Sequence, residues 1–431
     1  MMAPSGALCR RRVSHTTHRS APSGRAGGLV GLVVALILSG CGAAASDGGG
    51  AGGAVAAGGS GGSRTSGSGG AVGATTGGAS GAGTGGAAGS SGGAAGESSS
   101  GGAGGGGVLG GAAAPGDTAA PDDTGAPPVD PPASGMGPNV DRSDNKMRSF
   151  NFKASEADPA ATRLLGTEQA FVDTRVAPRG VLVVHLHGSG EKVVCGYTEH
   201  GQLLASWGFH VFMPCYDAAV SWNNSGCGAA VGDCRLEMLD GTDHSAKLNI
   251  AASESVEGRM VKALAYLVKT DPKGDWGYYL DGDKPRWPRT IISGQSFGAS
   301  SALLIGKHRE VVRAIALSGP FDGGAAWLKA PSVTPVERMF SFSHVNDGQH
   351  PTHVASCAAM GLPGTPVEVE KSMPPYNDSH RLTGGLTTFG GAQIDGHNAT
   401  EARMQSPKDP TTGKYLYEPV WRYMYGLPPA P

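Results

Sequence analysis

A serine flanked by two glycines is the residue of this chain best suited to covalent chemistry. Gly294, Ser296 and Gly298 match the pattern G-x-S-x-G, in which a nucleophilic serine occupies a sharp turn between a strand and a helix. The apolar run 290–292 precedes the serine, and small residues and leucines follow it at 299–305. These flanks predict a strand, a turn and a helix whose N–H groups face any oxyanion formed at Ser296. The alternative is a plain glycine-rich turn, since the chain has 73 glycines.

Apolar strands alternate with helices along the part of the chain that must position this serine. The pattern predicts buried strands at 180–186, 209–213, 290–292, 311–317 and 339–342, and helices at 197–207 and 253–269. Two half-exposed antiparallel strands, at 148–153 and 171–176, are predicted to open the domain, whereas 217–249 is predicted to be irregular. The alternation predicts an α/β fold class, with a doubly wound, mainly parallel sheet and flanking helices.

Two of these strand ends carry sequences typical of a known family. The sequences GVLVVHLHGSG, at 180–190, and SGQSFG, at 293–298, resemble the α/β-hydrolase fold family in its serine esterase-like form. The resemblance covers residues 145–425 and implies a serine hydrolase whose catalytic residues follow the order serine, acid, histidine. Gln295 departs from the family, in which a histidine often precedes the nucleophile, but that position is not a member of the triad.

The resemblance also implies an oxyanion hole made of two backbone N–H groups. By position these groups belong to Ser189, after the early strand, and to Phe297, directly after the nucleophile. Fixed donors are needed there because the tetrahedral intermediate concentrates negative charge on one oxygen. The alternative is that Gly188 and Gly190 only form a tight exit from the strand.

A serine hydroxyl is a weak nucleophile and requires a base, which a carboxylate must orient. Asp347, after the last of the predicted buried strands, is the predicted acid, and Asp322, after the preceding strand, is its rival. His397 is the predicted base because it follows a glycine-rich turn and precedes a helix start, where this fold usually brings its histidine over the serine. His380 is the rival base, but it precedes a predicted edge strand at 382–386 and is expected to be structural or exposed.

Five cysteines lie in the same domain, and in an exported protein they should be mostly oxidised. Cys227 and Cys234 are close enough in sequence to form a disulfide that pins the irregular segment. The pairing of Cys195, Cys215 and Cys357 stays open at this stage.

Metal-binding patterns are absent from the sequence. It contains no paired C-x-x-C spacing and no H-E-x-x-H. The sequence Asp281-Gly282-Asp283 lacks the later ligands of a calcium loop and is expected to be a surface turn. No metal site and no cofactor is therefore predicted.

The first 41 residues have the composition of a bacterial export signal. Arginines precede the apolar run 29–38, which is too short to span a bilayer. The sequence LSGC at 38–41 resembles the bacterial lipobox, which implies a lipoprotein signal peptide over 1–41 with lipidation at Cys41. The alternative is an ordinary secretory signal with a chance cysteine. The prediction places the protein outside the cytoplasm, anchored by lipid to the cell envelope at the outer membrane or the cell surface.

Residues 42–138 are predicted to be a disordered linker between the anchor and the domain. They are almost wholly Gly, Ala and Ser, with Pro and Asp near the end, and contain no Phe, Trp or Tyr. Such a segment cannot bury enough apolar surface to offset the entropy of ordering its backbone. Residues 139–431, in which aromatic residues begin at Phe150, are predicted to form one hydrolase domain.

The sequence thus predicts a lipid-anchored hydrolase that cleaves carboxylic esters through a Ser-His-Asp triad and an acyl-enzyme. Small-molecule and polymeric esters are the expected substrates, and lipase, depolymerase and peptidase activities use the same triad. A net charge of −2 argues against a nucleic-acid partner. The alternative from another class is a non-catalytic surface module that uses the hydrolase scaffold for binding. The sequence determines neither the substrate nor the oligomeric state.

Overall fold

The computed structural model describes residues 136–189, 191, 193–219 and 226–429. The predicted signal peptide with Cys41, most of the predicted linker, and Gly190 lie outside the described residues. Within the described part, no helix combines the length and the apolar character needed to cross a membrane.

The described residues form a nine-stranded sheet in which a single strand runs against the others. In chain order the strands are β1 Met147–Lys153, β2 Thr167–Asp173, β3 Leu182–Leu186, β4 His210–Met213, β5 Thr290–Gln295, β6 Arg313–Leu317, β7 Met339–His344, β8 Val367–Glu368 and β9 Arg381–Gly384. In space the order is β1-β2-β4-β3-β5-β6-β7-β9-β8. β2 pairs antiparallel with β1 and β4, and the remaining neighbours pair parallel. The predicted mainly parallel sheet is confirmed.

Helices cover both faces of this sheet. In chain order they are α1 Ala154–Ala157, α2 Thr198–Ser206, α3 Val231–Asp240, α4 Val256–Thr270, α5 Phe297–His308, α6 His350–Met360, α7 Gly396–Ala399 and α8 Glu418–Met424. Because successive side chains of a strand point to opposite faces, β3 contributes to two cores. Leu182 and Val184 pack with residues of α4 and α5, whereas Val183 packs with residues of α2 and α8. The predicted doubly wound arrangement is confirmed.

Three expectations about individual elements are wrong. The segment 217–249 contains the ten-residue helix α3, so it is not irregular throughout. β2 is almost fully buried rather than half-exposed, because β4 pairs with its second edge and α2 packs against it. β9 is not an edge strand, since the two residues of β8 pair with its outer side.

Two disulfides join cysteines of the described domain. Cys227 and Cys234 are bonded as predicted, and a second disulfide links Cys195 to Cys215. Cys357 is a buried free cysteine, and burial raises the pKa of its thiol to about 11. The segment 281–283 forms the exposed turn of a short antiparallel hairpin, as expected.

Candidate active site

Ser296 is the single residue that connects β5 to α5. Its backbone has φ 56° and ψ −118°, a combination that residues with a Cβ rarely adopt. The Ser296 N–H donates to the carbonyl oxygen of Leu317 at 2.9 Å, which fixes the turn to the end of β6. A Cβ at Gly294 would collide with the backbone of Gly298, and one at Gly298 with the carbonyl oxygen of Leu186. Both glycines of the motif are therefore required by backbone crowding.

His397 and Asp347 form a hydrogen bond across 50 residues of chain. His397 Nδ1 lies 2.8 Å from Asp347 Oδ2, and Asp347 Oδ1 accepts a second hydrogen bond from the Gln349 N–H at 2.9 Å. Burial opposes ionisation of Asp347, but these two hydrogen bonds, together with the nearby charges of His397 and His353, hold the pKa of the carboxyl below its ordinary value. The imidazole keeps 32% of its side-chain surface exposed, so a substrate can reach it.

A glycine allows the histidine to approach the aspartate. A Cβ at Gly396 would lie 2.5 Å from the Asp347 nitrogen and 2.7 Å from the carbonyl carbon of Asn346. Asp395 begins the short helix α7 by accepting a hydrogen bond from the Asn398 N–H. The Asn346 side chain donates to the carbonyl oxygens of residues 387 and 394, which ties the chain before α7 to the turn that carries Asp347.

Two polar side chains, whose contact with His397 the sequence did not reveal, hold the main chain of that residue. The Gln295 Nε2 and the Ser318 Oγ each donate to the carbonyl oxygen of His397, at 2.9 Å. Gln295 immediately precedes Ser296, so this contact couples the position of His397 to that of Ser296. The departure from the family at position 295 was visible in the sequence, but its partner was not.

Of the two predicted oxyanion residues, Phe297 directly follows Ser296, and Ser189 follows a glycine that lies beside it. Phe297 opens α5, where backbone N–H groups have no acceptor within the helix. Ser189 follows Gly188, and a Cβ at Gly188 would lie 3.4 Å from the Ser296 Cβ. The loop after β3 therefore passes directly beside Ser296.

His353 lies behind the aspartate. Its Nδ1 is 3.9 Å from Asp347 Oδ2, and the ring is fully buried. Neither ring nitrogen has a hydrogen-bond partner among the described residues. Burial lowers the pKa of His353 to about 4, so the ring is neutral at physiological pH.

The rival acid Asp322 belongs to a buried ion pair instead. Its two oxygens accept hydrogen bonds of 2.6 and 2.7 Å from the Arg235 guanidinium, and the Trp327 indole donates at 3.0 Å. Arg235 comes from α3 and also donates to the Phe297 carbonyl oxygen and to Ser301 Oγ in α5. The pair thus fastens the inserted helix to the first turns of the helix that follows Ser296.

The rival base His380 has a structural position. It is buried, its Nδ1 bonds to the carbonyl oxygen of Met339 at 3.0 Å, and its ring stacks on Phe340 with centroids 4.1 Å apart. Burial is the main cause that lowers its pKa. The contacts agree with the expectation that His380 is a structural residue.

A buried cluster of two histidines and a glutamate contacts β5, the strand that leads to Ser296. The ligand atoms of His185, His200 and Glu401 lie within 4.8 Å of one another, as the ligands of a metal would. However, His185 bonds to Ser293 Oγ and to Glu401, each at 2.9 Å, and both nitrogens of His200 also have protein partners. We interpret the cluster as a hydrogen-bond network that ties the segment after α7 to β5.

Comparisons with known proteins give structural likeness only. No protein-family model matches the chain, and no curated protein matches it. Among solved structures, it is similar to esterase B from Lactobacillus rhamnosis, with 11% identity and a TM-score of 0.30 over 56% of this chain and 77% of that chain. It is also similar to the feruloyl esterase module from Clostridium thermocellum, with 10% identity and a TM-score of 0.30 over 59% and 82% of the two chains. A third similar structure is the S-formylglutathione hydrolase from Agrobacterium tumefaciens, with 14% identity and a TM-score of 0.29 over 51% of this chain and 83% of that chain.

The architecture of the chain itself identifies the fold. A sheet covered by helices on both faces carries a strained strand-serine-helix turn at the end of the parallel strand β5. A strained serine turn at the top of such a sheet is the nucleophile elbow of α/β-hydrolases. This chain has the α/β-hydrolase fold.

Proposed function

We propose that the protein is a serine hydrolase that cleaves carboxylic ester bonds through an acyl-enzyme. Ser296 is the nucleophile, His397 the base and Asp347 the residue that orients the base. The observation that carries the proposal is the 2.8 Å hydrogen bond between His397 and Asp347, in a segment held to the elbow by Gln295. Serine, acid and histidine follow in the chain order of this fold.

The first half of the reaction transfers the acyl group to the enzyme. The Ser296 hydroxyl attacks the ester carbonyl carbon while His397 Nε2 takes its proton, and the carbonyl oxygen becomes an oxyanion. The N–H groups of Ser189 and Phe297 stabilise that charge. When the intermediate collapses, the carbon–oxygen bond to the alcohol breaks and the alcohol leaves with the proton from His397.

The second half repeats these steps with water. His397 takes a proton from water while the water oxygen attacks the acyl carbon. The bond between that carbon and Ser296 Oγ then breaks, Oγ receives the proton from His397, and the carboxylic acid is released. Asp347 stays ionised throughout and stabilises the imidazolium that forms twice per turnover. The lowered pKa of its carboxyl suits this role.

The test is a fluorophosphonate probe combined with hydrolysis of p-nitrophenyl butyrate. The wild type should be labelled and active, and Ser296→Ala should lose labelling and about 10⁴- to 10⁶-fold in turnover. Ser143→Ala, at an exposed serine, is the matched control and should keep both. Full activity in Ser296→Ala would refute the proposal, as would a folded wild type without labelling or hydrolysis of any ester.

We also propose that the protein acts outside the cytoplasm, on small-molecule or polymeric esters, while Cys41 anchors it to the envelope membrane. The two disulfides are compatible with an oxidising compartment. The expected result is that Cys41→Ser moves the protein from the membrane fraction to the soluble fraction of cells. If the variant still sediments with membranes, as the wild type is expected to do, lipidation at Cys41 is not the anchor.

A further inference from the structure

A cavity of about 220 Å³ lies beside the loop that follows β3. Most of its wall is apolar: it is lined by Leu164, Ala218, the ring of Tyr216 and the Cys195–Cys215 disulfide. An apolar cavity of about 150 Å³ in another protein accommodates benzene. The cavity of this protein therefore has room for a six-membered ring with one or two further atoms.

This cavity adjoins the candidate active site. His187 and Ser189, which both line it, flank Gly188, and the Gly188 backbone lies against Ser296. On the other side, the Tyr216 ring lies 6.3 Å from the ring of Phe297, measured between centroids. A group that enters the cavity thus remains close to an ester carbonyl bound at the serine.

The polar groups of two lining residues are already used within the protein. His187 Nδ1 donates to the carbonyl oxygen of Gly188 at 2.7 Å, and the Tyr216 hydroxyl donates to the carbonyl oxygen of His187 at 2.6 Å. Burial lowers the pKa of His187 to about 4, so this ring is neutral. Neither side chain is thus suited to recognise a polar group of a ligand.

Glu191 also lines the cavity, and its carboxyl group keeps capacity for another hydrogen bond. One of its oxygens accepts from the Gly196 N–H at 2.7 Å, and no other described residue hydrogen bonds to the carboxyl. Burial and, to a smaller extent, the charge of Glu401 outweigh the Gly196 hydrogen bond and the charge of Arg403, and they raise the pKa of Glu191 to about 8. At pH 7 the group is therefore mostly a neutral acid, which can donate one hydrogen bond and accept another.

We propose that this cavity binds a ring-sized group of the ester substrate and that Glu191 selects groups that carry a hydroxyl. The inference rests on the proposed function, because it places the cavity beside the reacting ester. A neutral acid in an apolar wall matches a neutral hydroxyl better than a cation, since the hydroxyl brings no charge into the wall. The substrate class is thus an ester with a hydroxyphenyl or similarly sized hydroxylated group, on its acyl or its alcohol side.

Two pairs of esters test the proposal. For the acyl side, methyl 3-(4-hydroxyphenyl)propanoate is compared with methyl 3-phenylpropanoate. For the alcohol side, 2-(4-hydroxyphenyl)ethyl acetate is compared with 2-phenylethyl acetate. The quantity measured is the ratio of kcat/KM within each pair, which is independent of the fraction of folded enzyme. The wild type should prefer the hydroxylated member of one pair by about three- to tenfold.

Variants of Glu191 show whether the carboxyl causes this preference. Glu191→Leu should bring the ratio to about one, whereas Glu191→Gln should retain most of it, since an amide also donates and accepts. Glu199→Leu, at an exposed position of α2, should keep the wild-type ratio. The wild-type ratio should also fall between pH 7 and pH 9, while that of Glu191→Gln stays constant.

The outcomes separate this inference from the proposed function. The inference is overturned, and the proposed function stands, if the wild type hydrolyses p-nitrophenyl butyrate but its kcat/KM ratio is near one in both pairs of esters. The same holds if Glu191→Leu keeps the preference for the hydroxylated ester. A stronger preference for the corresponding 4-aminomethyl ester would also overturn it, in favour of a cation site. If no ester is hydrolysed and Ser296 is not labelled, the proposed function fails first.

Discussion

At the scale of single residues, hydrogen bonds hold both the carbonyl oxygen and the imidazole of His397. It accepts hydrogen bonds from Gln295 and Ser318, while the ring bonds to Asp347. A histidine that must take a proton from one partner and return it to another requires a fixed position relative to both. In the proposed mechanism, Gln295 and Ser318 are therefore positioning residues, which act through His397 without contact to the reacting atoms.

Gln295→Leu should reduce kcat for p-nitrophenyl butyrate by about 10- to 100-fold, with little change in KM, because a displacement near 1 Å costs up to about 100-fold. Ser318→Ala should have a smaller effect, since Gln295 still holds the same carbonyl oxygen. Gln202→Leu, at an exposed glutamine of α2, is the matched control. The measurement is steady-state kinetics at constant pH, and an unchanged kcat in Gln295→Leu would show that this contact does not position the base.

The elbow serine and the His397–Asp347 pair could be predicted because each residue stands in a short local pattern. Ser296 has a glycine on either side at fixed spacing, Asp347 follows a strand, and His397 precedes a helix start. The Gln295 contact joins residues 102 positions apart, and no local pattern encodes it. Such partners are defined only when the strands and loops are packed.

At the scale of elements, helix α3 connects an inserted segment to α5, the helix that begins directly after Ser296. Arg235 of α3 is fully buried and contacts both Asp322 and the first turns of α5. Removing one partner of a buried ion pair leaves an uncompensated charge, which typically costs about 3 to 5 kcal/mol. Asp322 is therefore expected to matter for folding rather than for the chemical step.

Asp322→Asn and Asp347→Asn should thus have opposite effects. Asp322→Asn should lower the free energy of unfolding by about 3 kcal/mol and leave the rate per folded molecule near that of the wild type. Asp347→Asn should retain most of the stability and lose about 10³- to 10⁴-fold in kcat, because the imidazole is no longer held in the productive tautomer. Urea unfolding and active-site titration separate the two quantities. The assignment of the acid would be reversed if Asp322→Asn were stable and inactive and Asp347→Asn active.

Two helices that the sequence did not reveal, α3 and α6, bury polar residues. In α3 the buried positions include Arg235 and Glu237, and the Glu237 carboxylate accepts N–H groups of residues 245 and 250. In α6 they include His353 and Ser356. An apolar stripe at helical spacing is the signal by which a helix is predicted, and polar core residues conceal it. The strands β3 and β6 are mainly apolar, and each was predicted to within two residues at its ends, whereas only the first half of β5, at 290–292, was predicted.

At the scale of the whole molecule, buried histidines couple folding to pH. Burial lowers the pKa of His187, His210 and His353 to about 4, whereas their ordinary value in the unfolded chain is 6.5. Between these values the unfolded state binds more protons, so the stability that these rings provide is complete above pH 6.5 and is lost as the pH falls. Glu168 and Glu191 have the opposite effect on stability, which they lower as the pH rises. The reason is that burial raises the pKa of each carboxyl, to about 7 for Glu168 and about 8 for Glu191.

His353→Leu isolates the contribution of one histidine from these opposing groups. Between pH 7.5 and pH 4.5 the wild type should lose about 2 to 3 kcal/mol more of its free energy of unfolding than the variant, because a folded-state pKa near 4 excludes one proton that the unfolded chain binds. At pH 7.5 the variant should be about as stable as the wild type, since leucine replaces two ring nitrogens that have no partner among the described residues. His244→Leu, at a partly exposed histidine bonded to Asp240, is the matched histidine-to-leucine control with which the pH dependence of His353→Leu is compared. The measurement is urea unfolding at a series of pH values, and parallel curves for the wild type and His353→Leu would show that His353 is protonated equally in the folded and unfolded states.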